Sequence, residues 1–124
     1  MIRAMILVGL GGGTGSVLRY LLSVVITRYF RTVFPLAIFT VNVSGCFLIG
    51  ILLGLLERSP FMNPELRFLF ITGFCGGYTT FSTFSAENVG LFQSGHWLTA
   101  LLYIAASVSA GMGAVWIGLT LAKL

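Results

Sequence analysis

The segment GFCGGYTTFSTFSAEN, residues 73–88, mixes glycines, hydroxyl side chains, two phenylalanines and a carboxylate within a largely apolar stretch of the chain. Glycines that relax the backbone, followed by hydroxyls that bond locally to it, predict a break near the middle of a helix. Carbonyl groups freed at such a break suit a hard monovalent cation such as sodium. A simple kink stabilised by threonine hydroxyls is the alternative interpretation.

Two phenylalanines follow the predicted break. Phe81 and Phe84 are three residues apart, so their rings lie on one face of a helix. The positive edge of an aromatic ring can hold an anion weakly, and weak binding is what conduction requires. Ser82 and Thr83 add hydroxyls beside the rings. Contact with lipid or with the protein core is the alternative role for both phenylalanines.

Three further polar side chains lie where the chain is otherwise apolar: Arg19, Asn42 and Glu87. A charged side chain at the bilayer centre costs about 2.5 to 3.5 kcal/mol when unpaired. Arg19 either snorkels to the interface or faces an aqueous vestibule, and Asn42 either joins helices or lines a polar path. Glu87 follows Thr83 by one helical turn, so the hydroxyl could donate to the carboxylate. A carboxylate near the membrane edge, or a structural pairing, is favoured over a proton relay.

The composition places these residues in a membrane. Hydrophobic residues make up 57% of the 124 residues and charged residues 8%, and the mean hydropathy is +1.02, far from the balance of a soluble domain. Windows of about 20 residues, the length that crosses a bilayer, give four spans. They are Ala4–Thr27, Val33–Leu56, Leu66–Phe92 and Trp97–Ala122.

The connections between these spans are short. The longest, Glu57–Glu65, contains Pro60 and Pro64 as expected helix stops. We therefore predict an all-α integral membrane protein with a single domain, residues 1–124, whose third helix is broken near its middle. The basic residues give a weak positive-inside bias, which leaves open a single orientation or insertion in both.

Small residues at four-residue spacing predict close helix packing. Such stripes pair Gly9 with Gly13 and Gly11 with Gly15 in the first span, and others occur in the second and fourth spans. Four helices barely enclose a transport path, so we expect an oligomer.

The sequence argues against several classes of function. The basic residues form no stripe that would bind nucleic acid. An enzyme is not expected, because there is no carboxylate pair, thiol dyad or metal-ligand cluster. A proton-coupled small multidrug exporter is the alternative transporter. Exporters of that class carry their essential glutamate in the first helix, where this chain has Arg19 and no acid.

Three segments resemble the signature segments of the bacterial fluoride channels, the Fluc or CrcB family. They are GGTGSVLRY at residues 12–20, TVNVSGCFLIG at residues 40–50 and GFCGGYTTFSTFSAE at residues 73–87. The resemblance covers nearly the whole chain, including its length and number of spans. It implies an antiparallel, dual-topology homodimer with two fluoride pores and a structural sodium ion at the dimer interface.

The resemblance also implies roles for individual residues. Phe81 and Phe84 match the paired pore phenylalanines, and Asn42 matches the pore asparagine. Gly76 and Thr79 match the positions whose backbone carbonyls bind sodium. Other matches are the vestibule arginine and the hydroxyls that track the ion along the third and fourth helices: Arg19, Ser82, Thr83, Tyr103 and Ser107.

The function implied by the resemblance is passive, fluoride-selective export across the bacterial inner membrane. Fluoride holds its water strongly, so it sheds that water only against closely spaced donors. Hydroxyls, the Asn42 amide and phenylalanine edges can supply such donors, and a narrow path would reject the larger chloride.

Overall fold

The computed structural model describes residues 1–59 and 63–124, and this part of the chain is all-helical. Three of its helices are long and apolar enough to cross a membrane: α1 (Ile2–Tyr29), α2 (Leu36–Arg58) and α6 (Trp97–Ala122). The remaining elements occupy the third predicted span. They are α3 (Pro64–Leu66), a π-helical segment (Arg67–Cys75), α4 (Gly76–Tyr78) and α5 (Phe81–Gln93).

The ends of the helices follow local sequence. The fourth predicted span, Trp97–Ala122, coincides with α6. The start of α2 lies at Leu36, not at the predicted Val33, because Pro35 disfavours helical geometry in the residue before it.

The role predicted for Pro64 as a helix stop was wrong. Pro64 is the first residue of α3, where the missing N–H costs no helical hydrogen bond. The side chain of Asn63 caps the same turn by accepting from the backbone N–H of Glu65 at 3.0 Å. Pro60 lies outside the described residues.

The α2 and α6 helices form the most extensive helix pair of the fold. Their backbones approach closely at glycines on both helices. A Cβ atom on Gly50 would collide with the backbone of Val115, and one on Gly118 would lie 2.9 Å from the backbone nitrogen of Ile51. Small residues therefore bring these helices together, as the spacing in the second span predicted.

The α1 helix packs backbone to backbone on the π-helical segment and α4. A Cβ atom on Gly15 would lie 2.8 Å from the backbone nitrogen of Tyr78, and one on Gly77 would lie 2.8 Å from the Cα of Gly12. At Gly9 and Gly13, the other predicted stripe, an added Cβ would meet no atom of another element within 4 Å. The face of α1 with Gly11 and Gly15 thus packs on the third span, whereas the face with Gly9 and Gly13 contacts no other described helix of this chain.

Candidate functional site

The helical path of the third span is interrupted at two threonines. Both residues have extended backbones. Thr79 has φ −85° and ψ 156°, and Thr80 has φ −150° and ψ 123°. Asn42 on α2 bonds to both backbone groups of Thr80. Its Nδ2 donates to the Thr80 carbonyl at 3.0 Å, and its Oδ1 accepts from the Thr80 N–H at 2.9 Å. The amide thus replaces the partners that a helix would have supplied.

The buried Thr80 side chain begins the next helix. Its hydroxyl accepts from the backbone N–H of Thr83 at 3.1 Å, which caps α5. The same oxygen lies 3.2 Å from the Ser82 hydroxyl and 3.3 Å from the Thr83 hydroxyl. Sequence reasoning gave Thr80 no role of its own, although a threonine directly before an apolar helix is a typical cap signal.

Several carbonyls near the interruption lack their helical donors. The Thr80 N–H, which would bond to the Gly76 carbonyl in a continuous helix, is donated to Asn42. The Gly77 carbonyl accepts from the Ser16 hydroxyl at 3.3 Å, and the Thr79 carbonyl accepts from Nη1 of Arg19 at 3.3 Å. Arg19 therefore reaches the interruption of the third span.

Four aromatic rings follow one another from the surface of the chain to its core. The ring of Phe81 lies 5.8 Å from that of Phe84, which meets Tyr103 edge to face at 4.9 Å; Tyr103 in turn lies 5.3 Å from Phe34. Phe81 is 79% exposed, whereas Tyr103 is fully buried.

A cavity of about 460 Å³ adjoins the interruption. Six of the predicted site residues line it, among mostly apolar neighbours: Asn42, Gly76, Thr79, Phe81, Phe84 and Ser107. The Ser107 hydroxyl oxygen is buried and has no hydrogen-bond partner among the described residues. A buried hydroxyl without a partner costs free energy, so this group is available to a ligand.

Tyr103 and Glu87 are joined on the other side of Phe84. The Tyr103 hydroxyl donates to Oε1 of Glu87 at 2.8 Å. The expected donation from Thr83 to Glu87 is not found among the described residues; the Thr83 hydroxyl accepts from that of Thr80 at 3.3 Å. Tyr103 lies on α6, and its phenol reaches the Glu87 carboxylate on α5. Residue spacing within α5 could not predict a partner from another helix.

These features define a class of protein. The chain is a multi-pass, all-helical membrane protein whose third span is interrupted beside a small cavity lined by hydroxyl, amide and phenylalanine groups. Residues 6–119 match the family described as CrcB-like protein, Camphor Resistance (CrcB). The chain belongs to this family.

Curated relatives carry one shared description, fluoride-specific ion channel FluC. The protein of that name from Flavobacterium psychrophilum is 54% identical over 116 residues, which cover 94% of both chains. That of Azobacteroides pseudotrichonymphae is 47% identical over 99% of this chain and 98% of its own. A third, from Nitratidesulfovibrio vulgaris, is 39% identical over 98% of each.

Proposed function

We propose that this protein is a fluoride-selective ion channel that lets fluoride leave the cell passively across the bacterial inner membrane. The observation that carries the proposal is the buried hydroxyl of Ser107, which lies in the cavity beside Phe84 and Asn42 and has no hydrogen-bond partner among the residues that the structure describes. The relatives named fluoride-specific ion channels match nearly the full chain. Export of this kind would lower the toxicity of fluoride in the cytoplasm.

The residues around the cavity suit a small anion. Ser107 supplies a donor, and the second N–H of the Asn42 amide is left over after the first bonds to Thr80. The phenylalanines add weakly positive ring edges, so an ion held there is still able to leave. Most of the remaining wall is apolar, and a low local dielectric strengthens each of these contacts.

The track of hydroxyls would extend from this cavity on both helices. Ser82 and Thr83 bond to Thr80 at the start of α5, and each hydroxyl can rotate its proton toward a passing anion. Tyr103 donates to Glu87, so its proton would have to be released from that bond to reach an ion. Arg19 contributes a fixed positive charge at the interruption.

The exposed surface at the interruption supports an antiparallel homodimer. Gly76, Phe81, Ser82 and Thr83 are exposed in the single chain at the middle of the third span. Lipid offers no partners for such polar groups, whereas a second copy would cover them. Two copies related by a twofold axis would place two phenylalanine pairs at their interface and form two pores, consistent with insertion in both orientations.

The same axis would allow a structural sodium ion to bind backbone carbonyls. The Gly76 carbonyl fits, because Gly76 is exposed and its helical donor is used by Asn42. The Thr79 carbonyl fits less well, since the Arg19 guanidinium already occupies one of its lone pairs. Two carbonyls from each copy would give four oxygen ligands; replacing sodium with potassium should then lower the thermal stability of the dimer.

The small multidrug exporter is not favoured, because the relatives named above are channels by name. Glu87→Gln separates the two functions: the amide oxygen can still accept from Tyr103, so fluoride flux should persist, whereas a proton-coupled exporter would lose its essential acid. Drug-dependent proton exchange by the parent protein that is lost in Glu87→Gln, without fluoride flux from either, would reject the channel.

The decisive experiment measures anion efflux from proteoliposomes loaded with potassium fluoride or potassium chloride. Valinomycin is added to start the flux, and ion-selective electrodes follow it. Rapid release of fluoride without release of chloride is the expected result. A folded dimer that releases neither ion, or both equally, would contradict the proposal.

A further inference from the structure

A second and larger cavity lies at the end of the molecule where α1 and α5 finish. Its volume is about 1130 Å³. The α1 helix packs on the π-helical segment and α4 but makes little contact with α5, so the two helices leave a cleft between them. The segment from Phe30 to Ala37 borders the same cleft.

The walls of this cleft are amphipathic. Arg28 and Arg31 lie at its outer end, where α1 ends and the chain turns toward α2. Most of the other lining is apolar: Val24, Ile26, Phe30, Val33, Phe34, Pro35, Leu36, Ala37 and Leu91. The hydroxyl of Ser23, on the wall, is buried and has no hydrogen-bond partner among the described residues. A charged rim above an apolar wall suits an amphiphile better than a bare hydrated ion.

Among the described residues, no carboxylate forms an ion pair with either arginine at the rim. Within residues 1–59 and 63–124, the ion pairs are Arg3 with Glu65 at 2.8 Å and Lys123 with Glu57 at 2.6 Å. Both pairs lie at the opposite end of the bundle, and Arg28 and Arg31 belong to neither. An anion at the rim would therefore meet two cationic side chains that are free to bind it.

The one acid on the wall of the cleft is at its deep end. Glu87 and Ser94 both line the cleft, and they are seven positions apart in the chain, which corresponds to about 10 Å along a helix. The carboxylate already accepts the hydroxyl of Tyr103. A phosphate held at the level of Ser94 and the arginines would thus be separated from the negative charge of Glu87.

We propose that this cleft binds an anionic phospholipid, with its phosphate at Arg28 and Arg31 and an acyl chain along the apolar wall. The depth is appropriate, because the arginines lie at the end of a membrane-spanning helix. They also lie close in sequence to the exposed Tyr29, a residue type that is typical of the membrane interface. Basic pockets between transmembrane helices bind anionic headgroups in this way. The proposal does not depend on fluoride conduction.

Native mass spectrometry of the full-length protein in detergent tests the site. Phosphatidylglycerol and phosphatidylcholine with identical acyl chains are added separately, and bound lipid is counted. Phosphatidylglycerol should bind more tightly, and Arg28→Gln combined with Arg31→Gln should weaken that binding on the order of tenfold. Replacement of both arginines by lysine should preserve the binding, and Arg3→Gln, at the opposite end, should leave it unchanged.

Three results would overturn the proposal. Equal binding of phosphatidylglycerol by the parent protein and the double glutamine variant would show that the arginines do not hold the headgroup. Displacement of the lipid by an equal concentration of inorganic phosphate would mean that the site recognises phosphate and not a lipid. Loss of fluoride flux with unchanged lipid binding would assign the arginines to anion entry.

Discussion

Asn42 connects the chemistry of the candidate site to the backbone that forms it. Its amide makes one donated and one accepted hydrogen bond to Thr80, which fixes the two extended residues between α4 and α5. The same side chain lines the cavity with Phe84 and Ser107. A single residue thus both holds the interruption open and presents a remaining N–H to the cavity.

Replacing Asn42 with alanine should therefore damage stability and flux together. Thr80 would lose partners for its N–H and carbonyl in a buried position, at a cost of about 1 to 3 kcal/mol for each unsatisfied group. Thermal unfolding in detergent and fluoride efflux would measure the two effects. Asn88→Ala is the matched control: Asn88 is also buried but bonds only to the Phe84 carbonyl of its own helix, so it should lower the unfolding temperature less.

The two phenylalanines should differ in what they contribute. Phe84→Ile removes an edge-to-face contact with Tyr103 and should cost about 1 kcal/mol of stability as well as flux. Phe81→Ile should lower fluoride flux at least about tenfold with little loss of stability, because the Phe81 ring is largely exposed in the single chain. Efflux assays would measure the flux, and thermal unfolding in detergent would measure the stability.

Phe92→Ile provides the control for these variants. Phe92 is also exposed on α5 and does not line the cavity beside the interruption. Unaltered flux in both Phe81→Ile and Phe84→Ile, with an intact dimer, would refute their assignment to the pore.

At the scale of elements, the third span depends on its contact with α1. The π-helical segment and α4 present backbone atoms directly to the glycines of α1, and a π-helix is a rare form that often occurs at functional sites. Close backbone packing is what keeps the carbonyls of Gly76 to Thr79 at one position. The α1 helix therefore supports the geometry of the candidate site, although few of the side chains in the site belong to α1.

Gly15→Ala should test this support. The added Cβ would lie 2.8 Å from the backbone nitrogen of Tyr78, so α1 and α4 must separate. The yield of folded protein and the fluoride flux should both fall strongly. Gly13→Ala, two residues away on the open face, should be neutral or stabilising by up to about 1 kcal/mol. Similar behaviour of the two variants in unfolding and efflux assays would argue against a role for this packing.

At the scale of the whole molecule, one chain leaves its own candidate pore uncovered. Phe81, Ser82 and Thr83 face outward at the middle of the third span, and the weak charge bias of the sequence allows either orientation. An antiparallel partner would account for both features. It would bury the polar surface, and it would give the two sides of the membrane the same number of basic residues.

Cysteine labelling can test insertion in both orientations. Leu124→Cys and His96→Cys place a thiol at opposite ends of the bundle, both at exposed positions. With dual topology, a membrane-impermeant maleimide applied to intact cells should label about half of each variant, and permeabilisation should complete the reaction. Full labelling of one variant and none of the other would establish a single orientation; the parent protein, with Cys75 buried and Cys46 partly so, is the control.

The sequence by itself determined the membrane class, the fourth span and the family, because these follow from apolar windows and from motifs that are local in the chain. It also marked the region of Gly76 to Thr80 as unusual. The sequence misplaced two helix boundaries, the start of α2 at Val33 and a helix stop at Pro64. Both lie at or near a proline, which is compatible with the start of a helix as well as with its end.

Only the tertiary structure decided which groups meet. The bonds from Asn42 to Thr80, from Arg19 to Thr79 and from Tyr103 to Glu87 join helices distant in sequence. No spacing rule within one helix predicts such a pair, since the partner is set by how α1, α2 and α6 pack around the third span. The same packing decided that one glycine stripe of α1 is buried and the other is open.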